Sequence, residues 1–288
     1  MSTNANFCLH DEPAVLATMH GKERVIAPLL KRMLGLQVSV PIDFDTDRFG
    51  SFSRQVARTV SAIDAARAKI AAAFERSPAV RIGLASEGSF GPHPSVPFVV
   101  FGSEIVLLID RESGLELVGY HCAPATHYSR QIVSELSAAK AFARRIDFPR
   151  HGVIVMGVVG AEPNPFSMLF KNITTESQFE QAVTRTIERD GCASVETDMR
   201  AHRNQTRMRA IKRATIHLIR AWQARCPSCD RPGFVVSDRL SGLPCAWCDE
   251  PTEETRATLS RCKGCDHVFE NPVRLARAEP GHCRHCNP

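Results

Sequence analysis

Gly83-Leu84-Ala85-Ser86-Glu87-Gly88-Ser89-Phe90-Gly91-Pro92-His93-Pro94 is the stretch around which the rest of the chain is placed. The apolar run from Val80 to Ala85 predicts a short strand. Glu87 falls where that strand is expected to end. The glycines and prolines beyond it forbid helix and sheet ladder alike, which predicts a loop. In α/β proteins ligands sit where strands end and loops begin. Glu87 is therefore a candidate functional carboxylate as well as a candidate turn cap.

Outward from this stretch, strands and helices alternate. On the N-terminal side, Ala14 to Thr18 predicts a buried strand, and Met19-His20-Gly21-Lys22-Glu23 a loop into a helix. That helix has Val25, Ile26, Leu29, Leu30 and Met33 on one face and Gly35 at its cap. Pro28 predicts a kink or a late start within it. Leu36 to Ile42 predicts a second strand, and Asp43, Asp45 and Asp47 crowd the next loop. A long Ala-rich helix then carries Phe52, Val56, Val60, Ile63, Ile70 and Phe74 on one face, interrupted by Arg67, until Pro78 stops it.

On the C-terminal side, Phe98 to Phe101 and Ile105 to Ile109, parted by Gly102-Ser103, predict a hairpin. Leu115 to Tyr120 predicts a strand and Ser129 to Arg145 a helix. Val153 to Val159 is apolar throughout, as in a strand buried on both faces. Ser167 to Ile173 predicts another strand, Thr175-Glu176-Ser177-Gln178 a capping box opening a helix to Arg189, and Ala193 to Thr197 a last strand. The final helix, Asn204 to Ala224, buries Met208, Ile211, Thr215, Leu218 and Trp222. The order predicts an α/β domain over residues 1–222, with a mixed central sheet flanked by helices, and a small zinc-ribbon domain over 223–288.

The chain of 288 residues is 43% hydrophobic and 23% charged, which suits a globular protein. Its net charge of +5 is too mild to imply nucleic acid by itself. No basic-then-apolar leader opens it, and Glu104 breaks its best apolar run, Val96 to Ile109. A cytoplasmic protein without a membrane partner is expected. Basic charge is concentrated locally: eight Lys or Arg and no acid lie between Arg200 and Arg225. Arg203, Arg207 and Arg209 fall at the start of the last helix, where they oppose its macrodipole. Either Glu196 and Asp198 just upstream or a bound phosphate would offset them.

Eight of the 11 cysteines form four Cys-x-x-Cys pairs: Cys226/Cys229, Cys245/Cys248, Cys262/Cys265 and Cys283/Cys286. Without an export signal they read as metal ligands rather than disulfides. Eight thiolates make two structural tetrahedral zinc sites, with iron the rival metal. Joining first with second and third with fourth is the simplest pairing; interleaving is the alternative. Arg225, Arg231, Arg261, Lys263 and Arg284 lie beside the pairs and would compensate the thiolate charge. So few large apolar residues follow residue 225 that this segment is expected to need its metal to fold. Cys8, Cys122 and Cys192 stand outside the pairs, and Cys122, between His121 and His127, reads as a buried, inert thiol.

The His-Gly-Lys-Glu loop (His20 to Glu23), the run from Ser86 to Pro94, Glu196 to His202 and the terminal cysteine pairs together resemble an uncharacterised bacterial domain family of unknown function. Residues 14 to about 222 also resemble, remotely, the inosine triphosphate pyrophosphatase-like fold. That second resemblance implies a phosphate-contacting lysine after the first strand, at Lys22. It implies a metal-binding acidic strand end at Glu87-Gly88-Ser89 and a base-holding motif at Ala201-His202-Arg203. The family's second metal-binding glutamate falls on Arg54 or Gln55, neither of which is a carboxylate. Asp43, Asp45, Asp47 or Asp198 would have to replace it, or hydrolysis has been lost.

Two functions follow. One is a Mg²⁺- or Mn²⁺-dependent hydrolase of nucleoside triphosphates or a related phosphorylated small molecule. In it Glu87, His20 and His93 are catalytic, and Lys22, Asp198, His202, Arg203 and Arg207 bind the ligand. The other is a non-catalytic sensor of a nucleotide or other anion, whose zinc ribbons bind nucleic acid or a protein. In a third and plainer reading the ribbons merely stabilise a homodimer. Trp247, Phe234 and Phe269 are the only ribbon aromatics, few for stacking on single-stranded bases.

Overall fold

The structure is a computed structural model that describes residues 7–49, 60–93, 96–125 and 127–287; the side chains of Arg48, His93 and Pro97 also lie outside the description. The expected start of the long helix, with Phe52, Arg54, Gln55 and Val56, therefore lies outside the described residues. The chain divides into two compact units, residues 8–219 and residues 1–7 with 220–288.

The larger unit is mixed α/β. It opens with β1 (Pro13–Ala17), α1 (Glu23–Leu34) and β2 (Gln37–Ser39). Gly35 ends α1 in the left-handed conformation, φ 76°, as its sequence predicts. The helix starts at Glu23 and continues past Pro28, which sits one turn inside it. α2 (Ala62–Arg76) begins at Ser61, whose hydroxyl accepts the Asp64 N–H at 3.1 Å, and stops before Pro78.

Two expectations fail at the decisive stretch. β3 (Ile82–His93) runs straight through Glu87, Gly88 and Gly91, and β4 (Val96–Asp110) runs straight through Gly102-Ser103. These pair antiparallel along their length, as do β4 and β5 (Leu115–Pro124). The glycines here are strand residues that leave space. A side chain at Gly119 on β5 would collide with the backbone of Ala214 and Leu218, so this glycine admits the last helix against the sheet. The resulting sheet has the order β2-β1-β3-β4-β5, parallel in its first three strands and antiparallel in the rest.

A second sheet, rather than an extension of the first, follows. The expected helix from Ser129 is instead β6 (Arg130–Val133) and then α3 (Leu136–Arg145), the β-branched Ile132-Val133 favouring the strand. β7 (Val153–Val159), β8 (Glu162–Ile173), α4 (Glu176–Asp190) and β9 (Ala193–Thr197) complete it in the order β6-β9-β7-β8. Thr175 and Gln178 form the predicted capping box. Phe142, Phe179 and Val183 from the two helices, with Ile146 just past α3, close over Val153, Val155 and Val195. α5 (Gln205–Gln223) is the last helix, burying Ile211, Thr215, Leu218 and Trp222.

The two faces of the first sheet position its chemistry. Ala85, Ile105 and Leu107 pack with Ala66, Ile70 and Ala73 of α2. Glu87 follows two residues after Ala85, so it shares the α2 face; Gly88 and Glu104 share the opposite one, toward α5.

In the smaller unit a three-stranded antiparallel sheet is formed by β10 (Val236–Ser241), β11 (Thr255–Arg261) and β12 (Val268–Pro272). Among the described residues no helix is long and apolar enough to cross a membrane.

Candidate functional site

The four cysteine pairs assemble into two quartets, and the pairing is interleaved. Cys226, Cys229, Cys262 and Cys265 form one, Cys245, Cys248, Cys283 and Cys286 the other, each with its sulfurs within 4.8 Å of one another. The simpler sequential pairing is thus corrected, and strand count explains why. Each spacer between consecutive pairs contains one strand: β10, then β11, then β12. Antiparallel strands deliver successive pairs to opposite ends of the ladder, about 20 Å apart for six residues. Only alternate pairs can meet.

The sulfurs lie 3.6 Å (Cys226–Cys265), 3.5 Å (Cys229–Cys262), 3.6 Å (Cys248–Cys283) and 3.9 Å (Cys245–Cys286) apart. That is too far for disulfides and close to the edge, about 3.8 Å, of a tetrahedron with metal–sulfur bonds of about 2.3 Å. The quartets fit a tetrahedral metal ion. Backbone N–H groups support the sulfurs: Trp247 donates to Cys245 at 3.4 Å and Gly264 to Cys262 at 3.3 Å. A signal that sequence reasoning missed lies beside them. Asp230, Asp249 and Asp266 each follow the second cysteine of a pair, and each has positive φ, 57–60°. Aspartate tolerates this conformation better than most residues, so Cys-x-x-Cys-Asp marks the knuckle turn.

Several basic residues near the pairs have partners of their own: Arg284 pairs with Glu253, Arg277 pairs with Asp249 and donates to the Cys245 carbonyl at 3.2 Å, and Arg225 lies over the Trp222 ring. His282 bonds Glu254 at 2.9 Å and belongs to neither quartet. Cys122 is exposed rather than buried.

In the larger unit the sequence-derived residues fall into three neighbouring groups. The first is a buried charge cluster. Lys22 (5% exposed) donates to the Ser86 carbonyl at 2.5 Å, and Glu87 (6%) is ion-paired with Lys69 of α2. Arg207 (3%) bonds Glu104 (1%) at 2.5 Å and donates to the Met199 carbonyl. Gly88 makes room, since a side chain there would come within 2.6 Å of both Arg207 and Glu104. Burial, then Arg207, push the Lys22 pKa down to about 8 against the opposing pull of Glu87. Burial alone would raise the Glu87 carboxyl, but Lys22 and Lys69 outweigh it and hold it below the usual range.

Lys69 and Glu104 were not anticipated. Lys69 lies on the buried side of α2 among alanines, and Glu104 shows in the sequence only as a break in an apolar run. Glu104, not Glu196 or Asp198, offsets Arg207, so Arg207 is turned inward. Its N–H is taken by the Asn204 side chain at 2.9 Å, which makes Asn204 the cap of α5.

The second group joins His20, Asp47 and His202. His20 Nε2 lies 2.9 Å from Asp47, and its ring stacks on His202 with centroids 5.1 Å apart. Desolvation of the stacked ring, then His20 and Arg200, pull the His202 pKa down to about 4, so it is neutral near pH 7. In the third group Asp198 accepts from the Arg200 guanidinium through both carboxylate oxygens. Asp198 thus serves as a partner for an arginine.

Beside these groups lies a cleft of about 470 Å³, lined by Arg24, Arg150, His202, Arg203, Gln205 and Arg209 among others, with no carboxylate in its wall. Arg150 is ion-paired with Asp147. Arg24, Arg203 and Arg209 have no acidic partner among the described residues, and Arg203 Nε is buried without a hydrogen bond. The cleft meets the start of α5, where the helix itself offers no partner to the N–H groups of Gln205 and Thr206.

The carboxylates do not gather: among the described residues, only the cysteine quartets bring together three or more metal-ligating side chains. Asp43 and Asp45 are exposed. The His93 side chain, Arg54 and Gln55 lie outside the described residues.

These features define a two-unit chain, mixed α/β with a cross-braced pair of four-cysteine centres. Residues 70–288 match the model of a domain family of unknown function (DUF6671), and the chain belongs to that family. A search of curated proteins found no match.

Proposed function

We propose that residues 8–219 bind a phosphorylated small molecule and that the cysteine quartets hold two structural zinc ions. The observation that carries the first reading is the cleft: three arginines without acidic partners and the start of a 19-residue helix face one space without a carboxylate. Guanidinium groups and helix N–H groups are the usual ligands of phosphate oxygens. The reading for zinc rests on the sulfur spacing, and four thiolates leave no open position for catalysis.

Of the two functions the sequence suggests, the geometry favours binding without turnover. A magnesium site needs oxygen ligands, and here Glu87 is held by Lys69, Asp198 by Arg200 and Asp47 by His20. Hydrolysis of a nucleoside triphosphate, and with it the inosine triphosphate pyrophosphatase-like fold, is the second reading. It is supported by Lys22 lying just beyond β1 beside Glu87, and by the His20–Asp47 pair next to the cleft. Over residues 223–288 nine Lys or Arg are matched by nine Asp or Glu, before any thiolate is counted, so the ribbon's charge favours a protein over nucleic acid as a partner.

Titration calorimetry with pyrophosphate and with purine nucleoside triphosphates, with and without Mg²⁺, tests the reading. Binding is expected to weaken with salt and to fall about tenfold in Arg24→Ala and in Arg203→Ala. Absence of binding at millimolar ligand overturns it. Mg²⁺-dependent release of phosphate or pyrophosphate that is lost in Glu87→Gln would establish the hydrolase instead.

A further inference from the structure

A second cavity, of about 260 Å³, lies on the sheet side of α5; it shares Arg209 with the cleft above but has its own aromatic wall. Its walls are largely apolar, with Ala123, Pro124, Ala125, Met199 and Ala210 around the ring of Phe90. Phe90 stacks on Tyr128, centroids 5.7 Å apart and planes 14° from parallel. Gly102 faces Phe90 across the β3–β4 ladder, and a side chain there would run into the ring. The glycine therefore gives the aromatic wall its place on the sheet.

Glu104 and Arg207 line the same cavity with their charges mutually cancelled. The rim is different. Arg209 and Arg213 stand one turn apart on α5, both exposed, and neither has an acidic partner among the described residues. Like charges at this spacing on a helix repel. Arg213 Nη1 lies 3.5 Å from His121 Nε2. Burial and then Arg213 lower the His121 pKa, so near pH 7 that ring is neutral and accepts the bond.

An apolar pocket with a few polar groups converging at its mouth is the common form of a small-molecule site. Here those groups are cationic and planar, suited to bidentate contact with an oxyanion. We propose that this cavity binds a small aryl anion, a single aromatic ring bearing phosphate or carboxylate. The ring lies against Phe90 and Tyr128, and the anion bridges Arg209 and Arg213, relieving their repulsion.

The probes are phenyl phosphate against inorganic phosphate and benzoate against acetate, titrated into the full chain. The aryl member of at least one pair is expected to bind about tenfold or more tightly than its partner. Tyr128→Ala, at an exposed position, should bring that ratio close to one. Arg213→Ala should weaken the aryl ligand about tenfold, while Arg24→Ala leaves it unchanged. Equal affinity within both pairs overturns the proposal. So does loss of aryl binding in Arg24→Ala but not in Arg213→Ala, which would place the anion in the arginine cleft.

Discussion

Residues 8–219 hide aliphatic side chains in two cores, one beneath α2 and one beneath α3 and α4, and set buried ion pairs against them. Residues 220–288 do nearly the opposite. Every residue of β12 is exposed, as are all but one of β10, and Trp247 is 76% exposed. What is buried there includes four of the eight quartet cysteines, one from each pair. One unit derives its stability from apolar area, and its buried charges are a local cost. The other has almost no apolar core, and on the zinc reading it depends on the ions that its two cysteine quartets could hold.

Removing the metal should therefore produce the largest effect and fall on one unit alone. Structural zinc contributes on the order of 10–16 kcal/mol in small domains of this kind. A strong chelator should disperse the amide resonances of residues 220–288 into unfolded positions while those of 8–219 remain. Because β10, β11 and β12 join the two quartets, Cys245→Ser should lower the metal content below one ion per chain, not simply to one. Retention of one ion would show the ends to be independent. Collapse of both units would abolish the contrast between them.

The next effect belongs to the α/β unit. Glu104→Gln leaves Arg207 buried and charged beside Gly88, and breaking such a pair costs about 3–5 kcal/mol. The urea midpoint of this unit should fall while its metal content holds. The double change Glu104→Leu with Arg207→Met sharpens the test, since apolar replacement of a whole buried pair is often neutral. A double variant as stable as the parent would mean that the pair is retained for something other than stability. Gly88→Ala should cost less, about 1–3 kcal/mol, because a single methyl must displace two buried side-chain ends.

How far each unit could be read from sequence follows the same contrast. Cysteine spacing is local, so the eight members of the quartets are legible one by one; their pairing is not, because it depends on how many strands lie between pairs. In the α/β unit the helix signals carried well: Gly35 as a cap, the Thr175–Gln178 box, the apolar face of α5. Glycine misled. Gly88 and Gly102 look like turn residues, yet their place in the ladder is set by Arg207, Glu104 and Phe90, which are distant in sequence. Lys22, Glu87, Asp198, His202 and Arg203 each stood out as single residues. The partners that define their chemistry, Lys69, Glu104 and Arg200, carried no local signature.

The last effect is a pH dependence, and it belongs to the α/β unit alone. Lys22 has its pKa lowered from 10.5 to about 8 in the fold. Between those values the unfolded chain holds a proton that the native state has released. Its part of the unfolding free energy therefore rises with pH from about 8 to 10.5. Below pH 8 the cost of burying the cation is present in full. Glu87 has the reverse sense: its depressed pKa adds stability above the ordinary carboxyl range, and that stability is lost as pH falls through its folded value. Lys22→Met keeps the side-chain volume and removes the titration. The difference in stability of the 8–219 transition between parent and variant, followed in urea from pH 7 to 10, should shift in favour of the parent as pH rises. A flat difference would mean that Lys22 titrates in the fold as it does in water, and that the buried cluster is more open to solvent than its packing around Ser86 and Gly88 implies.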